Sequence, residues 1–208
     1  VKESSYDDIQ HYINVTFPEV KEIRKTNEML AEYEYLLASI KLLVLKSNRS
    51  GLTIDKSKFE KLVQHDLLQA EVNSQPYRCQ IDHHVIWGYY HHVMVEKKET
   101  YFHRKKVLDL IEKHPHEILE HPKEWIKNAR LLLVTLGYHK MYEELYAEQA
   151  RIESMIDKIS ETKKTQNLNA EIYNTIYIIK LDMDIDRGLF KQSSKYAKEV
   201  KTHFKTYE

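Results

Sequence analysis

The stretch PKEWIKNARLLLVTLGYHKMYEEL, residues 122–145, holds one complete helix–turn–helix pattern. Its apolar side chains recur every three or four positions, as on one face of a helix: Trp125, Ala129, Leu132 and Leu136. Pro122 suits the first turn of this helix, and Gly137 suits its end. We therefore predict a helix over 122–136 that ends at Gly137, with its partner helix opening at Tyr138.

Helical spacing of apolar residues continues outward from this stretch in both directions. It predicts further helix pairs, whose first helices lie at 18–47, 76–95 and 169–186. The turns within the pairs are expected at four places: Gly51, Glu96 to Glu99, Gly137 and Gly188. They lie roughly 40 to 50 residues apart, and a helix–turn–helix unit that repeats at such a period is typical of an α-solenoid.

The composition favours helices over strands. The 208 residues include only four Gly and four Pro, too few for the many turns of a β-sandwich or barrel. We predict an all-α protein, specifically a right-handed α-solenoid of antiparallel helix hairpins. The alternative is an ordinary helical bundle whose turns happen to be evenly spaced.

The charge balance and the cysteine content limit the class of function. Lys+Arg and Asp+Glu both number 32, and a net charge of zero argues against a dominant role in binding nucleic acid or an anionic membrane. The single cysteine, Cys79, excludes an internal disulfide and a zinc–thiolate cluster. We expect Cys79 to fill a helix interface.

The chain as a whole is expected to form a single helical repeat domain over 1–208. It begins with Val1 rather than Met, which suggests a piece of a longer protein with further domains. No apolar run approaches the ~18 residues of a membrane span, and the chain shows no signal peptide. We therefore expect a cytoplasmic protein without a membrane partner.

Several short motifs between residues 81 and 140 carry a resemblance to a known class of repeats. They are WGYY at 87–90, YFHRKKVLDLIEKHP at 101–115, EHPKEW at 120–125, NARLLL at 128–133 and LGY at 136–138. This part of the chain resembles tetratricopeptide-like helical repeats of uncharacterised bacterial proteins. It departs from the regular consensus at Thr100, where a small Ala is usual, and in its variable unit length.

The resemblance implies a binding role rather than a chemical one. Repeats of this kind present a concave surface to protein or peptide partners, and the matching motifs contain no catalytic residues. The residues themselves argue against a conventional enzyme, because the chain has no Gly-rich phosphate loop, no Gly-x-Ser-x-Gly elbow and no paired Cys motif. We expect no cofactor.

Twelve histidines raise the question of a metal site. Metal ligands on one helix should be three or four residues apart, and no pair of histidines has that spacing. His84 and His91 share a predicted face but lie seven residues apart, roughly 10.5 Å along the axis. We expect no metal, with packed and hydrogen-bonded histidines, although a site assembled between helices stays open.

Two other patterns suggest alternative functions. Arg78 and His83 match an Arg-x4-His spacing similar to that of small all-helical ribonuclease domains, in which Arg would hold phosphate and His would act as acid and base. Lysines line one side of the last predicted helix: Lys191, Lys195, Lys198 and Lys205, with Lys201 nearby. This stripe is either a solvated face or a contact for nucleic acid or an acidic protein.

We predict a non-enzymatic scaffold that binds a protein or peptide. The first helix of each pair usually lines the concave face of a solenoid, so side chains off the packing stripes of these helices would contact the partner. The candidate residues are His83, Trp87, Tyr90, Lys127, Arg130 and Tyr177. A nucleic-acid-binding or regulatory helical domain is the alternative, and a ribonuclease is third.

Overall fold

The computed structural model describes residues 10–50, 55–162, 176 and 178–205. Every regular element within these ranges is a helix, and they contain no β-strand. The all-α prediction is confirmed. The arrangement of the hairpins as a solenoid stays a prediction, and so does the single-domain organisation.

Contacts divide the chain into two compact units, Val1–Val93 and Met94–Glu208. In the first unit, a π-helical turn at Tyr12–Thr16 leads directly into a long helix. The helices of this unit are α1 (Phe17–Ser50), α2 (Lys56–Val63), α3 (Asp66–Gln69) and α4 (Tyr77–Met94), with a 3-10 turn at Val72–Ser74 before α4.

The core of the first unit forms where α1 meets α2. Tyr33, Leu36 and Ile40 point inward from α1 at helical spacing, and each is buried. Phe59 and Val63 of α2 are buried as well. Helix α4 is buried on most of its surface, including Cys79, as expected for an interface-filling cysteine.

The second unit contains the helix pair predicted from residues 122–145. Its helices are α5 (Lys97–Glu112), α6 (Pro115–Glu120), α7 (Pro122–Tyr138), α8 (Tyr142–Thr162), α9 (178–186) and α10 (Phe190–Lys205). Helix α7 packs against both α5 and α8. Its predicted apolar stripe lies in the core, and Trp125 is only 1% exposed.

The predicted turn at Gly137 is wrong by about three residues. Helix α7 continues to Tyr138, and the left-handed residue is Lys140, with φ 57°. The N–H of Lys140 donates to the carbonyl of Gly137 at 3.0 Å, and the N–H of Met141 donates to Leu136 at 2.9 Å. This pair of bonds is a Schellman motif, so α8 begins only at Tyr142.

Other turns differ in how well they were predicted. Gly188 ends α9 as expected, with φ 71°. The turn predicted over Glu96 to Glu99 is confirmed at Glu96 but is wrong beyond it, because α5 begins at Lys97 and the left-handed residue is Val95. The six-residue helix α6, which starts with a proline at its first turn, was not predicted. The expectations for Gly51 and for residues 169–175 lie outside the described residues.

Candidate functional site

Three of the candidate residues lie on α4, where Trp87 contacts both of the others. The Trp87 ring is 5.4 Å from that of Tyr90 and 6.3 Å from that of His83, between centroids, and it stacks on His91 at 5.3 Å. These contacts follow from the three- and four-residue spacing along one helix. Trp87 and Tyr90 are half-buried, while His83 is buried.

His83 belongs to a polar network inside the first unit. The Tyr33 hydroxyl lies 2.6 Å from Gln75 Oε1, 2.9 Å from the carbonyl of Leu67 and 3.3 Å from His83 Nδ1. Gln75 Nε2 donates to the Leu67 carbonyl at 3.2 Å. The hydroxyl has one proton, and its shortest contact is with Gln75, so we assign His83 Nδ1 as a donor to the Tyr33 oxygen.

Both titratable groups of this network are neutral at physiological pH. Burial lowers the pKa of His83 to about 4, and burial raises the pKa of Tyr33 to about 12. A histidine that is 7% exposed and turned toward Tyr33 is not placed to contact a partner. The expectation that His83 lines a binding surface is therefore corrected: its side chain joins α1 to α4.

The proposed ribonuclease pair does not share an environment. Arg78 is exposed, whereas His83, five residues later on α4, is buried with a depressed pKa. A phosphate-binding Arg and an acid–base His must reach the same substrate atoms. Cys79 is buried, and burial raises the pKa of its thiol, which disfavours the reactive thiolate. This part of α4 is packed against the rest of the unit and does not present Arg78 and His83 together to a substrate.

The other two described candidates, Lys127 and Arg130, lie on the exposed face of α7. Further exposed side chains follow on the same face at helical spacing, so that it comprises Lys123, Lys127, Arg130, Val134 and Tyr138. Tyr138 is 67% exposed, and Val134 is 46% exposed. The last candidate, Tyr177, lies outside the described residues.

A buried ionic network in the second unit was not predicted. The Glu148 carboxylate of α8 is 3% exposed and accepts hydrogen bonds from the Tyr101 hydroxyl at 2.8 Å, from Lys105 Nζ and from Arg151 Nε at 2.7 Å. Arg151 Nη1 also donates to Glu112 Oε2 at 2.5 Å. The network therefore ties α8 to α5 over about three turns, from Tyr101 to Glu112.

The network pairs opposite charges and joins three helices, and Arg151 Nη2 is its one buried polar atom without a hydrogen-bond partner among the described residues. Burial alone would raise the pKa of Glu148, but hydrogen bonds from Lys105 and Tyr101 and the charge of Arg151 lower it below its ordinary value. The indole N–H of Trp125 donates to Glu112 Oε1 at 3.1 Å, which brings in α7. A carboxylate with three donors suits a structural role better than proton transfer.

Tyrosines of α8 pack against a cation in the same unit. The Arg187 guanidinium lies over the rings of Tyr142 and Tyr146, at 5.3 Å and 5.4 Å from the centroids, and donates to the Tyr146 hydroxyl at 2.7 Å. Both rings are half-buried. For these two residues, packing between helices accounts for the aromatic side chain.

Neither a metal centre nor a membrane span is evident in the described part of the chain. Its histidine, cysteine, aspartate and glutamate side chains form no group of three or more that could hold a metal ion. None of its helices combines the length and the apolar character needed to cross a bilayer.

Comparison with known proteins identified no similar protein. No protein-family model matches the chain, and no curated protein or solved structure matches it.

Proposed function

We propose that this chain is a non-enzymatic scaffold of tetratricopeptide-like helix hairpins, stacked as a solenoid, that binds a protein or peptide partner. The observation that carries the proposal is the exposed face of α7. This helix is anchored on its opposite side by Trp125, Ala129 and Leu132, all buried. Its exposed side chains are therefore held on a rigid element, as a binding surface requires.

The chemistry of the α7 face indicates the kind of partner. Lys123, Lys127 and Arg130 place three cations along its first half, and Val134 and Tyr138 extend it with apolar surface. Arg and Tyr are enriched at interface positions that contribute most to binding. An acidic peptide segment followed by apolar side chains would complement this face. The half-buried Trp87 and Tyr90 are retained as candidate contacts in the first unit.

Affinity capture from the source cell with matched variants tests the proposal. Lys127→Ala combined with Arg130→Ala removes the central cations of the α7 face. Lys21→Ala combined with Arg24→Ala is the control, because it removes the same two residue types at the same spacing from exposed positions of α1. We expect specific partners to be lost with the first variant and retained with the second.

The proposal is contradicted if both variants capture the same proteins as the unmodified chain. Circular dichroism should be identical for all three proteins, since exposed substitutions of this kind change stability by about 0.5 kcal/mol or less. A partner that survives loss of the α7 cations but not the double substitution of Trp87 and Tyr90 by Ala would move the site to α4.

Nucleic-acid binding remains the second candidate, supported by one observation on α10. Lys191, Lys195 and Lys198 are all exposed, at a spacing that places them on one face. Binding through these cations would weaken steeply with salt, with a log–log slope of about −0.7 per phosphate contact on a single strand. Fluorescence anisotropy with single-stranded RNA, at several salt concentrations, distinguishes this candidate from protein binding.

A further inference from the structure

Helix α1 carries a second apolar stripe on the face opposite its core residues. The stripe consists of Ala31, Tyr35, Ala38, Leu42 and Leu45, alternately four and three residues apart. All five are exposed, with Tyr35 at 66%, Leu42 at 51% and Leu45 at 54%. This 3.5-residue period is that of a coiled-coil seam, and it extends over about 21 Å.

The outer stripe, as we call these five residues, adjoins a groove between α1 and the end of α2. The groove has a volume of about 400 Å³ and is lined by Tyr35, Leu36, Ser39, Lys61, Leu62, Gln64 and His65. At its edge, His65 Nε2 lies 3.2 Å from Glu32 Oε1. A helix docked on the outer stripe could place a large apolar side chain in this groove.

Charges are distributed unevenly along the outer stripe. Its N-terminal end is flanked by the carboxylates of Glu28, Glu32 and Glu34. Its C-terminal end is flanked by the cations of Lys41 and Lys46. In an antiparallel pair of these helices, the acidic end of each stripe would lie beside the basic end of the other. In a parallel pair, ends of like charge would lie side by side.

We propose that the outer stripe of α1 pairs with the same stripe of a second copy of this chain, in antiparallel orientation. Such an interface is isologous, so each favourable contact occurs twice. Ala31 and Ala38 permit close approach of the two helices, while Tyr35 and Leu42 fill the space between them. The seam is shorter than a standard protein interface, so we expect a dissociation constant of about 1–100 µM.

Sedimentation equilibrium of the full chain tests the association. The unmodified chain should pass from monomer to dimer as its concentration rises. Tyr35→Ala combined with Leu42→Ala should weaken the dimer by about 100-fold. The control, Val134→Ala with Tyr138→Ala, truncates exposed apolar side chains of α7 and should leave the dimer intact. It also separates this proposal from that for the α7 face.

Disulfide cross-linking tests the orientation. Cys79 is buried, so the unmodified chain should not cross-link. Ala38→Cys, near the centre of the outer stripe, should form covalent dimers under mild oxidation. Ala31→Cys should not do so alone, but it should cross-link to Leu45→Cys when the two variants are mixed. Self-cross-linking of Ala31→Cys as efficient as that of Ala38→Cys would overturn the antiparallel arrangement.

Two further results would overturn the proposal as a whole. One is a chain that stays monomeric well above the expected dissociation constant. The other is a Tyr35→Ala, Leu42→Ala variant that keeps its helicity by circular dichroism and dimerises as strongly as the unmodified chain.

Discussion

At the residue scale, left-handed backbone occurs at three helix ends of the described part of the chain. Val95 and Lys140 adopt φ values of 64° and 57°, which a side chain with a Cβ atom tolerates only at a cost of about 1–2 kcal/mol. Gly188 adopts φ 71° without this cost. Gly137, by contrast, lies inside α7, where its conformational freedom is a disadvantage.

The two glycines should therefore respond to alanine in opposite directions. At Gly137, a new Cβ atom would lie 3.7 Å from Leu145 Cδ1 and 3.9 Å from Met183 Cγ, both ordinary contacts. Gly137→Ala should raise the free energy of unfolding by about 0.5–1 kcal/mol. Gly188→Ala should lower it by about 1–2 kcal/mol because its φ is positive. Urea unfolding of each variant measures both effects, and a loss of stability in Gly137→Ala would contradict the assignment.

At the scale of elements, polar contacts between helices add to the packing of their apolar faces. Helix α8 is attached to α5 by the carboxylate of Glu148, whose donors come from both helices. Helix α1 has two different faces near its middle, with Tyr33 and Ile40 in the core and Tyr35 and Leu42 exposed. The helix packs within the chain through one apolar face, and we propose that its other apolar face pairs with a second copy.

Removing the Glu148 charge should loosen the junction of α5 and α8. Glu148→Gln keeps the shape of the side chain but leaves Lys105 and Arg151 without its charge, at a cost of about 3 kcal/mol. Arg151 retains Glu112, which limits the loss. Fluorescence of Trp125 in a Trp87→Phe background reports unfolding next to this network. Glu153→Gln, an exposed site on α8, is the control and should cost less than about 0.5 kcal/mol.

At the scale of the whole molecule, each compact unit has its own buried polar network. The first unit is joined through Tyr33, Gln75 and His83, which come from α1, the segment before α4 and α4 itself. The second unit is joined through Glu148 and Arg151. The two networks differ in charge, because the first is neutral at physiological pH and the second is ionised.

The stability of the first unit should therefore fall in mild acid. His83 has a pKa of about 4 in the folded chain and about 6.5 when unfolded, so the unfolded state binds more protons between these values. Neutral His83 contributes its full share to the free energy of unfolding above pH ~6.5. As the pH falls toward ~4 this share is lost, and the free energy of unfolding decreases by up to about 3 kcal/mol. Urea unfolding at several pH values across this range measures how steeply the free energy of unfolding depends on pH.

His83→Gln is the matched variant for this pH dependence, since glutamine can donate to Tyr33 but does not titrate. The difference in slope between the two proteins isolates His83 from the carboxylates that also titrate in acid. Proton NMR provides a direct reading, because the resonance lost in His83→Gln should titrate near pH 4. A His83 resonance that titrates near its ordinary value would contradict the buried placement.

Much of the helical framework was predictable because it depends on local spacing. Apolar residues three and four apart, with Pro122 at a first turn, located α7 and predicted its buried Trp125. Helix ends were less predictable. The Schellman motif at Lys140 uses a backbone conformation that residue type only weakly indicates, so Gly137 was assigned the wrong role.

The candidate site divides in the same way. Exposure of Lys127 and Arg130 followed from their position off the apolar stripe of α7, a local property. The burial of His83 and the partners of Glu148 could be seen only in the tertiary structure. Tyr33 lies 50 residues from His83 in the chain, and Tyr101 lies 47 residues from Glu148. Periodicity assigns a polar residue to a face, but only the packed helices decide whether that face meets water or a complementary group.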